Sequence, residues 1–406
     1  MNLLSSSIFN SEQPLTWPRA ALALLWILVG LLLIDIGVNF AFPYPRDPKI
    51  MSVSQLPAYF EYGRSIEGKL ARITRIDPNQ TAPITLAGWY QPLHAEAIGG
   101  PAGAPTVTFY GMSHSVRLAR ALARTSSNYQ ARSIGAPGAT ANWAFGAFLR
   151  DPQRTNSKVA VLSIMSMTTP MDTTMTAMTW NSAFPLPYTE DRFEIAGNGL
   201  RTVPLPFESF SDFTKAFFNP QAWAVARAQF KAHDPYYDAF MFRGSMLDRS
   251  AIVRLLRRAY GLHLERKGRA QVLDEHGFHA DSEEIRVMNA IVRSFAFQAR
   301  SQGIVPVIFI VNNLGYGTQL YDAVRGSLDR CDIPYLSSHT VVSPSDPRGY
   351  LPDSHFTNTN DDRLARALAK VIDTQVTQAR INDPLPTDCN VATSPATAPQ
   401  TVQAAF

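Results

Sequence analysis

The feature that most constrains the fold is Val305–Val311, VPVIFIV, an unbroken apolar run of strand-forming residues. A strand with one face toward solvent would alternate apolar and polar residues. A run without alternation therefore suits a parallel strand that is buried on both faces. Other strand-forming runs precede it, and the first two lead into stretches with apolar residues at helical spacing. Strands that alternate with helices predict an α/β fold built on a doubly wound parallel sheet.

The predicted elements follow one another along one large domain. We predict strands at 105–110, 129–134, 158–165, 305–311 and 333–336. We predict helices at 114–125, 142–149, 316–329 and 363–372, the last with Thr359 or Asn360 as its cap. Between the third and fourth strands we expect a long irregular insertion over 166–218 and helical segments over 219–301. Upstream, 71–77 and 83–90 alternate well enough to predict a hairpin or edge strands.

An apolar run over 20–42 carries a single charge, Asp35. It is long enough to cross about 30 Å of hydrocarbon as a helix. A buried core helix is the less favoured alternative because the run has no amphipathic period. A cleaved signal peptide is less favoured because the run is long and no clean A-x-A site follows it. We predict an uncleaved signal anchor, in which Asp35 reaches the interface or, as the alternative, is a functional intramembrane acid.

The orientation of this anchor is inferred from the bulk of the chain. Arg19 stands on one side and Arg46 and Lys49 on the other, so the distribution of positive charge does not decide it. A globular domain after a single signal anchor usually lies outside the cytosol, which predicts the inner (cytoplasmic) membrane with the domain in the periplasm. The predicted organisation is a short segment 1–19, the anchor 20–42, a neck and lead-in 43–104, the domain 105–380 with its insertion 166–301, and a disordered tail 381–406.

Composition excludes some classes of function. A net charge of +4 is too small for a nucleic-acid binder that lacks a dense basic patch. The sequence has no CxxC, HExxH or EF-hand-like spacing, so we predict no metal and no cofactor. The two cysteines, Cys331 and Cys389, either pair outside the cytosol and tie the tail to the domain, or are two unrelated thiols.

A group of basic residues lies in the helical part of the insertion. We expect a solvated helix face, and the alternative is a strip that meets anionic polysaccharide or lipid headgroups. The group comprises Arg254, Arg257, Arg258, Arg266, Lys267 and Arg269.

Thr106–Ser115, TVTFYGMSHS, reads as a strand, a sharp turn at Gly111 and the start of a helix, with Ser113 in the turn. A hydroxyl in this turn would project into the crevice outside the carboxyl end of the strand, which suits a nucleophile. Capping the helix is the ordinary alternative role for such a serine. The adjacent His114 either lines the same site or lies on the surface at the helix start.

A second group with chemical potential, Asp353 and His355, precedes the last predicted helix. Residues two apart do not share a helix face, so a working pair requires a loop, which Pro352 supports. In such a loop the carboxylate can hold the Nδ1 proton of the imidazole and leave Nε2 free to take a proton from a serine hydroxyl. The alternative is a surface Asp-x-His in a polar loop.

Three short motifs, in this order, resemble the SGNH (GDSL-like) hydrolase superfamily. They are Gly111-Met112-Ser113, with Met112 where the family has aspartate; Gly135-Ala136-Pro137-Gly138; and Asp353-Ser354-His355. The resemblance covers about 105–375 and implies a three-layer α/β domain with Ser113 as nucleophile, His355 as proton shuttle and Asp353 as its orienting partner. It also implies that the N–H groups of Ser113 and Gly138 hold the oxyanion. The Asp-x-His spacing is similar to the branch that includes alginate O-acetylation proteins.

The third motif of that family, Gly-x-Asn-Asp after the third strand, is absent here. The chain reads Leu-Ser-Ile-Met-Ser-Met-Thr over 162–168, so no asparagine is placed to donate to the oxyanion. Ser166, Thr168 or a backbone N–H are the substitutes we consider. Asn142 is a further candidate, although its position in the helix after Gly138 favours capping or a surface role. Loss of one oxyanion donor typically slows a reaction by about 100- to 1000-fold.

The resemblance and the anchor together predict a function at the cell envelope. We expect a serine O-acetyltransferase or acetylesterase that acts on an exported polysaccharide, with a multi-spanning membrane acyltransferase as its donor partner. A carbohydrate deacetylase or general esterase is one alternative. The other is an inactive scaffold or glycan-binding subunit of a polysaccharide secretion complex, which the missing third motif favours and the intact Ser113, Asp353 and His355 oppose.

Overall fold

The computed structural model describes residues 17–43, 55–74, 87–183, 186–197, 199–377, 386, 389, 391 and 393–394. The helices are α1 Trp17–Ala41, α2 Gln55–Glu61, α3 Ile66–Ile73, α4 Ser113–Thr125, α5 Ala141–Arg150, α6 Ala177–Trp180, α7 Phe210–Phe218, α8 Pro220–His233, α9 Ala239–Phe242, α10 Ala251–Val272, α11 Glu283–Ser301, α12 Gln319–Arg330 and α13 Asn358–Thr377. The strands are β1 Ala95–Gly99, β2 Thr106–Gly111, β3 Gln130–Gly135, β4 Val159–Met165, β5 Arg192–Ala196, β6 Gly199–Val203, β7 Leu273–Asp274, β8 Gly277–Phe278, β9 Val305–Val311, β10 Tyr335–Ser337 and β11 Thr393–Ser394.

The main sheet has six strands in the order β1-β3-β2-β4-β9-β10. The last five are parallel to one another, whereas β1 pairs antiparallel with β3 at the edge. Every residue of β4 and of β9 is buried, as the unbroken apolar run predicts for a strand covered on both faces. The predicted α/β fold with a parallel-rich sheet is confirmed, and β9 has the predicted bounds.

Two pairs of helices cover this sheet. Helices α4 and α13 pack on each other and on the sheet, and α5 and α11 do the same. The second pair is joined through Phe148 and Phe295, whose ring centroids lie 4.9 Å apart in an edge-to-face arrangement. The parallel strands therefore direct their carboxyl ends toward loops that begin α4, α5 and α13.

The predicted strand over 71–77 is wrong where the structure describes it, because Ile66–Ile73 is helical. The side chain of Ser65 caps α3 by accepting from the Gly68 N–H at 3.0 Å. Ile66 and Leu70 are four residues apart and both are buried, which is a helical rather than an alternating pattern. Residues 75–77 of this predicted strand and 83–86 of the second predicted strand lie outside the described residues, and 87–90 forms turns. The edge strand is β1 instead.

The insertion is more ordered than predicted. The segment expected to be irregular contains the antiparallel hairpin β5–β6 and helix α7. Downstream, the basic group on α10 is not a uniformly solvated face. Arg254 and Arg257 are buried, where they form ion pairs with Glu61 and Asp248 respectively. The prediction of a solvated face is wrong for these two residues.

Helix α1 is the helix in the described part of the chain that is long and apolar enough to cross a membrane. None of its residues is buried, so the alternative of a core helix is wrong. Its C-terminal end nevertheless contacts the domain. Asp35 Oδ1 accepts hydrogen bonds from the Ser250 hydroxyl at 3.0 Å and the Ile252 N–H at 2.9 Å. Asn39 Oδ1 accepts from Arg254 at 2.6 Å.

The C-terminal tail is fixed at several points, so the prediction of a wholly disordered tail is wrong. Cys331 and Cys389 form a disulfide, and both are buried. Shortly after it, β11 pairs in parallel with β6 and extends the β5–β6 hairpin to three strands. The tail therefore returns to the insertion and is covalently joined to the end of α12.

We predict that the disulfide contributes substantially to stability. Closing a loop of 58 residues in the unfolded chain corresponds to about 4 kcal/mol in the loop-entropy model. Cys389→Ser should therefore lower the free energy of unfolding by up to about 4 kcal/mol, measured by denaturant titration of the full-length protein in detergent. A reductant should destabilise the wild type and leave Cys389→Ser unchanged. Equal stabilities of the two proteins would contradict this prediction.

Candidate active site

Ser113 occupies the turn between β2 and α4, as predicted, and is the first residue of the helix. Its backbone N–H is one of the groups at a helix N-terminus that have no acceptor within the helix. The turn requires glycine at position 111, where φ is +154°. A Cβ there would lie 2.8 Å from the Cβ of Ser163 on the neighbouring strand. The close approach of β2 and β4 thus fixes where the serine emerges.

The structure brings Ser113, Asp353 and His355 together across 240 residues of sequence. The Ser113 hydroxyl lies 2.6 Å from Nε2 of His355. On the other side of the ring, Nδ1 of His355 lies 2.9 Å from Oδ2 of Asp353. A carboxylate only accepts, so Nδ1 carries the proton and Nε2 is free to accept the serine proton.

The Asp353 carboxylate accepts two hydrogen bonds from His355, one from its backbone and one from its imidazole ring. Oδ1 of Asp353 accepts from the His355 backbone N–H at 3.2 Å while Oδ2 accepts from the ring. Because the loop bends back so that both groups of His355 reach this carboxylate, Ser354 lies in the left-handed region, with φ +68°. The hydrogen bonds from His355 hold the pKa of Asp353 below its ordinary value. The carboxylate is 65% exposed, so it remains ionised and in contact with solvent.

His114 packs directly against the catalytic candidate. Its ring stacks on that of His355 with centroids 4.6 Å apart, and it is buried, so the surface alternative is wrong. Nε2 lies 3.2 Å from the Ser354 carbonyl, to which it donates. Burial, together with the neighbouring His355, lowers the pKa of His114 to about 4. His114 is therefore neutral near pH 7 and supports the 353–355 loop from the nucleophile's own helix.

Arg117, one turn further along α4, also hydrogen-bonds to this loop. It was not identified from the sequence. Its guanidinium donates to the Phe356 carbonyl at 3.0 Å and to Oδ1 of Asn358 at 2.9 Å. It also pairs with Asp361 in the first turn of α13 at 2.7 Å. The spacing of Ser113 and Arg117 on one helix face is the signal that the sequence offered. No pattern in the sequence shows which loop that face meets.

The start of α13 is organised by Thr357 rather than by the predicted caps. The Asn360 N–H lies 3.4 Å from the Thr357 hydroxyl, and Thr357 O accepts from the N–H groups of Asn360 and Asp361. Thr359 and Asn360 lie inside the helix. The helix consequently begins only three residues after His355, which leaves the loop little freedom.

Gly138 lies in the turn after β3, at the same edge of the sheet as Ser113. Its φ of +64° is in the left-handed region, and its N–H has no acceptor among the described residues. The turn is secured from outside, because the Tyr188 hydroxyl donates to the Pro137 carbonyl at 2.5 Å. Thr140 caps the following helix by accepting from the Trp143 N–H. The N–H groups of Ser113 and Gly138 are thus both available to an oxyanion.

The segment after β4 offers no comparable donor. The Ser166 hydroxyl donates to the Val311 carbonyl at 3.2 Å, and the Thr168 hydroxyl donates to the Met165 carbonyl at 3.2 Å. Their backbone N–H groups donate to the same two carbonyls. The Met167 N–H donates to Oδ1 of Asn313. Ser166 and Thr168 are therefore engaged in holding the strand end.

Asn313 is a buried amide in this region that was not identified from the sequence. It follows β9, the strand beside β4, at the carboxyl edge of the sheet. While Oδ1 accepts from Met167 at 3.1 Å, its Nδ2 has no acceptor among the described residues. The sequence signal for this residue was that Asn312-Asn313 directly follows the predicted strand 305–311. Asn313 is thus a buried amide whose Nδ2 is unpaired in the described part of the chain, at the edge of the sheet where β4 ends.

Asn142 is fully buried and lies neither at the surface nor at the helix cap. Its Nδ2 donates to the Asp172 carbonyl at 2.6 Å, and Oδ1 of Asp172 accepts from the Ala141 N–H at 3.1 Å. These bonds tie the first turn of α5 to the insertion.

Buried carboxyl groups surround the first turn of α5. Glu190 accepts from the Thr140 hydroxyl, and burial raises the pKa of Glu190 to about 8. Burial and the nearby Glu190 charge raise the pKa of Asp172 well above its ordinary value. In the described residues, no three His, Cys, Asp or Glu side chains are grouped so that they could hold a metal ion. Glu190 is accordingly protonated at neutral pH.

No protein-family model matches this chain, and searches of curated proteins and of solved structures give no match either.

Arg117 should be a positioning residue. Arg117→Lys keeps the charge but cannot donate at once to Asp361, as Nε does, and to Phe356 and Asn358, as Nη2 does. We therefore expect at least a 10-fold fall in kcat with little change in KM on an activated acetyl ester. The matched control is Arg120→Lys on the same helix, whose ion pair with Glu96 is exposed. If the two variants have equal kcat values and equal unfolding midpoints, Arg117 is not a positioning residue.

Glu190 should make stability depend on pH. The unfolded chain releases this proton near pH 4.5, whereas the folded protein keeps it until about pH 8. The contribution of Glu190 to stability is therefore fully present below pH 4.5 and is lost as the pH rises through about 8. Glu190→Gln stays neutral, and from pH 5 to pH 8 it should gain roughly 2–4 kcal/mol relative to wild type in urea unfolding. Parallel pH profiles of the two proteins would show that Glu190 is ionised when folded.

Proposed function

We propose that the protein is a serine-dependent acyltransferase or esterase of the SGNH type, anchored in the inner membrane by α1 with its α/β domain in the periplasm. The observation that carries this proposal is the array Ser113–His355–Asp353, with contacts of 2.6 and 2.9 Å at the carboxyl edge of a parallel sheet. The three matching motifs fall on the turns after β2 and β3 and on the loop before α13. This placement supports the resemblance drawn from the sequence.

The first half of the reaction follows from this geometry. Oγ of Ser113 attacks the carbonyl carbon of an acyl ester while its proton passes to Nε2 of His355. The oxyanion lies against the N–H groups of Ser113 and Gly138, and the dipole of α4 favours the negative charge there. When the intermediate collapses, the bond to the leaving oxygen breaks and His355 returns the proton to that oxygen. The product of this half-reaction is an acyl-serine.

The second half decides between transfer and hydrolysis. His355 takes a proton from an acceptor hydroxyl, whose oxygen attacks the acyl-serine and releases Ser113. Water as acceptor makes an esterase, and a sugar hydroxyl makes a transferase. The N–H groups of Ser113 and Gly138 alone would stabilise the oxyanion less than they would together with a side-chain amide. The Nδ2 of Asn313 is the donor we assign to the third position.

The acceptor class is inferred from the anchor and the Asp-x-His spacing. Both favour O-acetylation of an exported polysaccharide, and a multi-spanning membrane acyltransferase would deliver the acetyl group across the membrane. A deacetylase that removes acetyl groups from the same polymer uses identical residues. The close Ser113–His355 contact counts against an inactive glycan-binding scaffold, because an inactive site has no physical need for it.

The test uses the full-length protein in detergent, with Ser113→Ala as the inactive variant and Ser127→Ala, an exposed serine beyond α4, as the matched control. Each protein is incubated with an activated acetyl ester, with and without candidate oligosaccharides, and both protein and sugar are examined by mass spectrometry. We expect an acetyl group on the peptide containing Ser113, or on the sugar, in wild type and in Ser127→Ala.

The outcome identifies the acceptor. Acetylated sugar indicates a transferase, and free acetate released at equal rates with and without sugar indicates an esterase. In either case Ser113→Ala should reduce turnover by at least about 1000-fold, as loss of a serine nucleophile does. Indistinguishable behaviour of wild type and Ser113→Ala across esters and acceptors would overturn the catalytic proposal in favour of a binding subunit.

A further inference from the structure

The acid in the membrane anchor has a structural partner in the domain. Asp35 accepts from the Ile252 N–H and the Ser250 hydroxyl, which places it at the N-terminus of α10. The positive end of the helix dipole and these donors stabilise the carboxylate. Below this contact, Asn39 is joined to Arg254, and the rings of Phe42 and Phe60 stack at 5.9 Å. The end of the anchor is thus fixed to α10 and α2 rather than joined by a free linker.

This contact sets the depth of α10 relative to a bilayer. An α-helix needs about 20 residues to cross about 30 Å of hydrocarbon. If the span begins after Arg19, it ends near Asn39, and Asp35 lies about 6 Å inside that boundary. Because Ile252 is hydrogen-bonded to Asp35, the first turn of α10 lies at the same depth. The surface beside it must therefore meet lipid.

The side chains beside this turn are apolar and exposed. We call them the membrane seat: Met246, Leu247 and Leu256, with Tyr59 at the edge. The first three are 80%, 53% and 62% exposed in the protein alone. Met246 and Leu247 immediately precede α10, and Leu256 is on its second turn. Exposed apolar side chains gathered in one place are typical of surfaces that bind a partner or a membrane.

The charges around the membrane seat are arranged for anionic headgroups. Among the described residues beside the membrane seat, Asp248 and Glu61 are buried in ion pairs with arginines. Arg249 is exposed, and Arg258 lies over the ring of Tyr59 at 3.8 Å. A surface that combines apolar side chains, tyrosine and arginine is typical of segments that lie in the membrane interface.

We propose that the membrane seat inserts into the outer leaflet of the membrane that α1 spans, so that the domain rests on a lipid surface with anionic headgroups in one fixed orientation. The apolar side chains enter the acyl-chain boundary, while Arg249 and Arg258 contact phosphates. This inference requires α1 to span the membrane, but it does not depend on the chemistry at Ser113.

The test places a single fluorescent label on the full-length protein. The disulfide occupies both native cysteines, so Met246→Cys or Leu256→Cys supplies the reactive thiol for an environment-sensitive dye. The protein is reconstituted into phosphatidylcholine vesicles with and without phosphatidylglycerol. We expect blue-shifted emission and strong quenching by nitroxides on lipid acyl chains. The matched control is Ile195→Cys, an exposed apolar position on the β5–β6 hairpin, which should remain water-like and unquenched.

A second variant tests the headgroup contact. Arg249→Gln should reduce the difference in quenching at position 246 between neutral and anionic vesicles by at least half. Water-like emission at 246 and 256 in both kinds of vesicle would overturn the proposal. Protection from a water-soluble maleimide in native membranes but not in vesicles would assign the face to a membrane protein instead. Extraction of the protein by alkaline carbonate would show separately that α1 does not span.

Discussion

The packing of α4 against α13 is the constraint on which the candidate site depends. Helix α4 begins with Ser113, and α13 begins three residues after His355. The two halves of the site, separated by 240 residues of sequence, meet only if these helices lie side by side. Arg117 and His114 join them at that place through the carbonyls of Phe356 and Ser354. The position of the His355 imidazole is therefore a property of helix packing as much as of the loop.

The sequence predicts the centre of the fold well because burial on both faces leaves a strong signal. An unbroken apolar run marks β9, β4 is apolar except for Ser163, and the predicted bounds of both strands agree with the structure to within a residue. The errors fall where a short segment fits two periods, as in α3, or where pairing is decided by distant partners. Strand β11 is such a case, because it joins β6 only after the tail returns across the domain.

The sequence predicted the site residues that form a known catalytic pattern. It did not predict the residues whose importance comes only from what they contact in the fold. Ser113, Asp353 and His355 stand in a recognisable order, and the structure brings all three together. Arg117 and Asn313 have ordinary surroundings in the sequence, and only the fold shows that one holds a loop and the other presents a free amide beside β4. Likewise, a lone acid in an apolar span gave no indication that it meets the start of α10.

The disulfide has a consequence for how the molecule resists mechanical and proteolytic damage. Cys331 and Cys389 close a covalent ring that contains Asp353, His355 and the whole of α13. A protease that cleaves after Cys389, or a force that pulls on the residues after it, leaves this disulfide-closed ring intact. At the other end, α1 is joined to α10 through Asp35 and Asn39. Unravelling from the C-terminal side therefore stops at the disulfide, and the His355 imidazole stays beside Ser113.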